Sequence, residues 1–117
     1  MNPDSIRELS QRVLRHRDER EWAQFHTAKE LAISLCVESA ELLSVMQWKS
    51  GEQLARAVVV RSDELRDELA DVLHSTLLLA AELKIDLGLA LIEKLEKDAT
   101  KYPVEKARGK NLKYDEL

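Results

Sequence analysis

Two stretches constrain this chain more than any other. Leu35 to Trp48 and Glu64 to Leu73 both read as buried helix, yet each carries two acids three positions apart, Glu38 with Glu41 and Glu68 with Asp71. Residues at that spacing share one helix face. Carboxylates set among core residues repel one another and lose hydration, so they need a cation or a partner. Two such helices packed antiparallel bring all four acids to one volume. That all-oxygen set suits a hard cation such as magnesium, with waters and substrate phosphates completing the octahedron. A lone E-x-x-E is common on exposed helix faces; two, each flanked by apolar residues on both sides, point to the metal.

The remainder of the chain agrees with a helical frame for these acids. Among 117 residues, 44% are hydrophobic and 34% charged, with only 3 Gly and 2 Pro. Such a composition describes one all-α domain over 1–117, its core over about 3–103 and a polar tail at 104–117. Val58-Val59-Val60 is the single strand candidate and is too short to outweigh its helix-forming surroundings. A net charge of -4 argues against a basic nucleic-acid face, so a phosphate ligand needs help from a metal. The one cysteine, Cys36, excludes an intrachain disulfide and reads as a small core residue of a cytoplasmic protein. The apolar runs are too short to span a bilayer, and no signal peptide is read at the start.

Helix punctuation divides the chain. Asn2-Pro3 offers a cap and a first helical residue for a helix running to about Glu21, with Ile6, Leu9 and Val13 at helical spacing. After the break Trp22 to Thr27, the pair Thr27 and Glu30 has the capping-box form, which starts a second helix at Ala28 and carries it to about Trp48. Phe25 reads as a staple into the core. Trp22 and His26, beside that helix start, read as ligand-contacting. Residues 52–61 form a partly helical connector, Ser62 caps a third helix, and Asp86 caps a fourth that runs to Tyr102-Pro103. The second helix is apolar on several sides, with Ile33, Val37 and Met46 off its main stripe. A small monomer can hardly bury all of them, so a four-helix-type bundle in an oligomer is expected.

A rival metal chemistry is visible. Asp71-x-x-His74 has the form of the E-x-x-H unit of di-iron bundles, but such sites need the unit twice and Glu38-x-x-Glu41 supplies no second histidine. No glycine-rich phosphate loop or G-x-S-x-G elbow occurs, and Cys36 lacks an electropositive setting, so the chemistry to expect is metal-assisted attack by water.

The blocks Trp22-Ala-Gln-Phe25-His26-Thr-Ala-Lys29, Glu38-Ser-Ala-Glu41-Leu, Gln47-Trp48, Glu68-Leu-Ala-Asp71-Val-Leu, Ile85-Asp86-Leu and Lys101-Tyr102-Pro103-Val resemble the MazG-related all-α nucleoside triphosphate pyrophosphohydrolases, most of all their dCTP pyrophosphatase-like branch. That resemblance implies cleavage of a dNTP, with dCTP or a modified pyrimidine nucleotide favoured, between the α and β phosphates, to monophosphate and pyrophosphate. It implies magnesium, or manganese in its place, on Glu38, Glu41, Glu68 and Asp71, with Glu38 or Glu41 taking the proton of the attacking water. It further implies Trp22 and Trp48 around the base, with His26, Lys29, Ser75, Asp98 and Tyr102 as further substrate contacts. A homotetramer is the favoured assembly and a dimer the other; neither nucleic acid nor membrane is an expected partner. Ser75, Val13, Glu30 and Asp98 depart from the branch's pattern, and they touch the specificity pocket more than the metal site. The alternatives to a nucleotide-pool house-cleaning hydrolase are a di-iron or other metal-binding bundle and a helical interaction protein without catalysis.

Overall fold

A computed structural model describes residue 2 and residues 5–117, and among these residues every regular element is helical. The elements in order are α1 (Ile6–Glu19), α2 (Ala28–Ser44), α3 (Gly51–Val60), α4 (Ser62–Glu82), α5 (Leu87–Lys101) and α6 (Val104–Ala107). Short 3-10 turns lie at Ala23–Phe25 and Tyr114–Glu116. The chain separates into two compact units, one ending at Ile85 and the other Asp86–Leu117. The tail is therefore less featureless than its polarity suggests.

Local chemistry sets most boundaries. The expected start at Pro3 lies outside the described residues; the cap in place is Ser5, whose hydroxyl accepts from the Glu8 N–H at 3.2 Å. Thr27 caps α2 as expected, its hydroxyl accepting from the Glu30 N–H at 3.2 Å. Asp86 likewise caps α5, accepting from the Leu89 N–H at 3.1 Å. Each such bond satisfies one N–H that the first helical turn leaves without an intrahelical partner.

Three expectations are corrected. Helix α2 stops at Ser44, four residues short of Trp48: the Met46 N–H tightens onto the Leu43 carbonyl three residues back and Trp48 adopts φ +66. The connector at 52–61 is helical up to Val60, as α3, with the Arg61 N–H closing it on the Ala57 carbonyl at 2.8 Å. Ser62 is the first residue of α4 rather than its cap: Arg61 holds the cap position and its guanidinium binds Glu64 in the first turn.

Within the first unit, α4 is the central element. It packs along α2 and also meets α1 and α3. Its apolar run buries Leu77, Leu78 and Ala80, joined in the core by Leu31 and Val45 of the α2 segment and Ala57 of α3. Burying the leucines and the valine stabilises by about 1.5–3 kcal/mol each, and the alanine methyls by less than about 1 kcal/mol. Cys36 is exposed rather than buried, on a side of α2 that α4 does not cover, together with Ile33 and Val37. In the second unit Tyr102 meets Tyr114 edge-to-face, with centroids 6.1 Å apart, and Lys101 lies 5.1 Å over the Tyr114 ring.

Candidate functional site

The acids of α2 and α4 meet. Oxygens of Glu38, Glu41 and Glu68 lie within 4.8 Å of one another, and Asp71 shares a cavity wall with Glu38. The pairing is antiparallel: Glu38 and Glu41 face the start of α4, while Leu31, nearer the start of α2, lines the same cavity as Leu78 near the end of α4. No histidine joins this cluster, which is the only group of three or more metal-competent ligands among the described residues. Neither of the two histidines that a di-iron site of this type needs is in it.

Electrostatics mark the cluster as unsatisfied. Burial first, then the Glu41 charge and a hydrogen bond to it, then Asp71 and Glu68, push the Glu38 carboxyl above its ordinary range. Glu68 is pushed up for the same reasons, burial first and Glu41 next. Both Glu38 Oε2 and Glu68 Oε2 are buried without a hydrogen-bond partner. A divalent cation held by these oxygens would offset the repulsion and give the orphaned atoms a partner. The donor set is all carboxylate, which fits a hard oxygen-seeking ion.

Beside the acids opens a cavity of about 350 Å³. Its wall comprises Phe25 and His26 before α2, Glu30, Leu31, Ser34 and Glu38 along α2, and Asp71, His74, Ser75 and Leu78 along α4. The volume is that of a small-molecule site. Phe25 does not staple the core: it sits in the 3-10 turn Ala23–Phe25, is 65% exposed and borders the cavity. His26 lines the cavity and keeps a buried Nδ1 without a hydrogen-bond partner. Ser75 is the buried hydroxyl of the wall, at 8% exposure.

Trp22 is 44% exposed and stands edge-on to His16 at 5.8 Å, with the Arg20 guanidinium 5.8 Å from its ring. Lys29 is exposed in the first turn of α2. Trp48 is 91% exposed and does not line the cavity. In the second unit, Asp98 is ion-paired with Lys94 at 2.6 Å and Tyr102 packs on Tyr114.

His16 was not evident as a site residue from sequence. It lies on α1 amid alternating charges, and the structure sets it edge-on to His74, with centroids 5.8 Å apart. Burial, with His16 and His26 adding to it against the opposing pull of Asp71, lowers the basicity of His74. His16 thus backs His74 from outside the cavity lining, whereas His26 and His74, both singled out in the sequence, line it. Ser34 also escaped notice, being an ordinary helical serine until its position facing α4 is known.

Antiparallel helices presenting E-x-x-E and E-x-x-D acids across a cleft define a class of all-α, carboxylate-centred protein. The sequence profile of the MazG-like family matches residues 33–117, and the chain belongs to that family. It is 39% identical over 101 residues to human (Homo sapiens) dCTP pyrophosphatase 1 and 35% identical over 101 residues to that of Bos taurus. These alignments cover 85% of this chain but 59% and 60% of the two relatives, so the chain spans about three-fifths of their length. Among solved structures it is similar to a pyrophosphatase from Archaeoglobus fulgidus, with TM-score 0.80 and 35% identity over 88% of this chain and 96% of that one.

Proposed function

We propose that this chain is a magnesium-dependent nucleoside triphosphate pyrophosphohydrolase acting on dNTPs, with dCTP or a related or modified pyrimidine dNTP favoured. The products are dNMP and pyrophosphate, and the role is house-cleaning of the nucleotide pool. The observation that carries this reading is the meeting of Glu38, Glu41 and Glu68 with two unpartnered buried oxygens beside a nucleoside-sized cavity. Its relatives named dCTP pyrophosphatase 1 and the archaeal pyrophosphatase support it.

Glu38, Glu41, Glu68 and Asp71 are the residues to hold the ion. Magnesium, or manganese in its place, supplies charge neutralisation and Lewis acidity to the triphosphate. Glu38 or Glu41 would accept the proton of a water attacking phosphorus, a contribution worth about 10²–10⁴ in rate. His26 and Ser75 offer hydrogen bonds inside the cavity. Trp22 and Trp48, exposed and outside the cavity lining, are the proposed aromatic contacts of the base, and base–aromatic stacking is worth about 1–3 kcal/mol. Lys29, Asp98 and Tyr102 are further proposed contacts.

The assembly proposed is a homo-oligomer, a tetramer before a dimer, of single MazG-like helical domains over 1–117. It is supported by the many large apolar residues that the isolated chain leaves exposed. No described helix is long and apolar enough to cross a membrane, and a cytoplasmic location suits an enzyme of nucleotide pools. Pyrophosphate release from dCTP in magnesium tests the activity. It should be abolished by Glu41→Ala and by Asp71→Ala; release that persists in both variants would overturn the assignment.

A further inference from the structure

The cavity has two chemically different ends. Glu38 and Asp71 stand at one, and Glu30 stands on the same wall of α2, two turns nearer its start. Eight residues of helix rise by about 12 Å, a separation that keeps Glu30 out of the metal cluster. It is absent from the group of convergent carboxylates. Its backbone N–H binds the Thr27 cap, while its carboxylate has no hydrogen bond or ion pair among the described residues. Nearby, His26 keeps a buried Nδ1 without a partner, and Ser34 lies one turn along from Glu30.

A carboxylate accepts hydrogen bonds and cannot donate them. Facing the exocyclic position of a base, it attracts an amino group and repels a carbonyl oxygen. Serine hydroxyls either donate or accept, so Ser34 and Ser75 fit either kind of base and discriminate little. Glu30 is thus the one group at this end with a fixed preference. We propose that Glu30 reads the base, selecting nucleotides whose base carries an exocyclic amino group and rejecting those with a carbonyl there. The inference rests on the nucleotide reading above and deepens it. It assigns the discrimination to the edge of the base, where Trp22 and Trp48 offer contact only to its faces.

The test compares the chain with Glu30→Gln, whose amide both donates and accepts. In magnesium, kcat/KM is measured for dCTP against dUTP and for dATP against dITP, each pair differing from amino to carbonyl at the exocyclic position. Calorimetric titration of the magnesium-loaded protein with dCMP and dUMP gives the same comparison without turnover. The unaltered chain should favour the amino member of each pair by about tenfold or more, as a charge-assisted hydrogen bond allows. Glu30→Gln should bring the ratio to within about threefold, with circular dichroism confirming the fold. Hydrolysis with ratios unmoved by Glu30→Gln would overturn the inference and leave the pyrophosphohydrolase reading standing. Amino-selective monophosphate binding that is lost in Glu30→Gln, without hydrolysis, would support the inference and remove that reading. Neither binding nor hydrolysis would overturn both.

Discussion

Glu38 and Glu68 each hold a carboxyl oxygen that is buried, unpartnered and surrounded by like charge. Their raised proton affinity in the folded state gives stability that is present below the ordinary carboxylate range and is lost as pH rises through the shifted values. The metal-free protein should therefore melt higher near pH 5 than at pH 8, and Glu38→Gln should flatten that difference while raising the melting temperature at pH 8. His74 works in the opposite sense. Its lowered basicity gives stability that is full above about pH 6.5 and is lost as pH falls through the shifted value, so His74→Asn should remove part of any acid loss seen below pH 6. Thermal scans across pH in the presence of a chelator check both. In magnesium the same Glu38→Gln change should reduce pyrophosphate release about 100-fold or more, the scale of a lost proton acceptor. The acids were legible in the sequence because i,i+3 spacing fixes a shared helix face whatever the tertiary fold. His16 was not, because its approach to His74 depends on how α1 meets α4, which no local spacing encodes.

At the scale of elements, the caps that followed a three-residue rule were readable, as Thr27 to Glu30 and Asp86 to Leu89 demonstrate. The start of α4 was misread because an ion pair from Arg61 to Glu64, rather than the Ser62 hydroxyl, organises its first turn. Thr27→Ala should cost about 1 kcal/mol of stability. Since the same turn carries His26 and Glu30, that change should also raise KM, and steady-state kinetics with urea melts will show both effects. The early stop of α2 leaves Trp48 at φ +66 and 91% exposed, a conformation that costs a non-glycine residue about 1–2 kcal/mol. Trp48→Gly relieves this strain, although a glycine there also loosens the unfolded chain. The variant should keep or gain stability while losing nucleotide affinity, as equilibrium binding and melting measured together will reveal.

For the whole molecule, the all-α class was legible from composition and period, since few glycines and prolines and hardly any strand signal leave little else. The division at Ile85 was not legible beyond the helix break at Lys84 to Asp86. In the second unit Leu91, Ile92 and Leu95 of α5 are each 58% exposed, and Leu91 and Leu95 lie one turn apart on one face. Under the homo-oligomer proposed above, this stripe is the surface that another copy would cover. Replacing Leu91 and Leu95 together by Glu should lower the mass measured by light scattering to that of a smaller assembly, with each protomer remaining helical.

The unpartnered oxygens of Glu38 and Glu68 carry a consequence for the lifetime of the protein in a cell. An ion that binds only the folded state adds about 2.7 kcal/mol when present at 100 times its dissociation constant. Where opening is fast relative to cleavage, degradation follows the population of the open form, so an ion-free chain is the one that proteases find first. Free magnesium would then set how much of this protein persists as well as how fast each copy works, and limited proteolysis with and without chelator would measure the first of these directly.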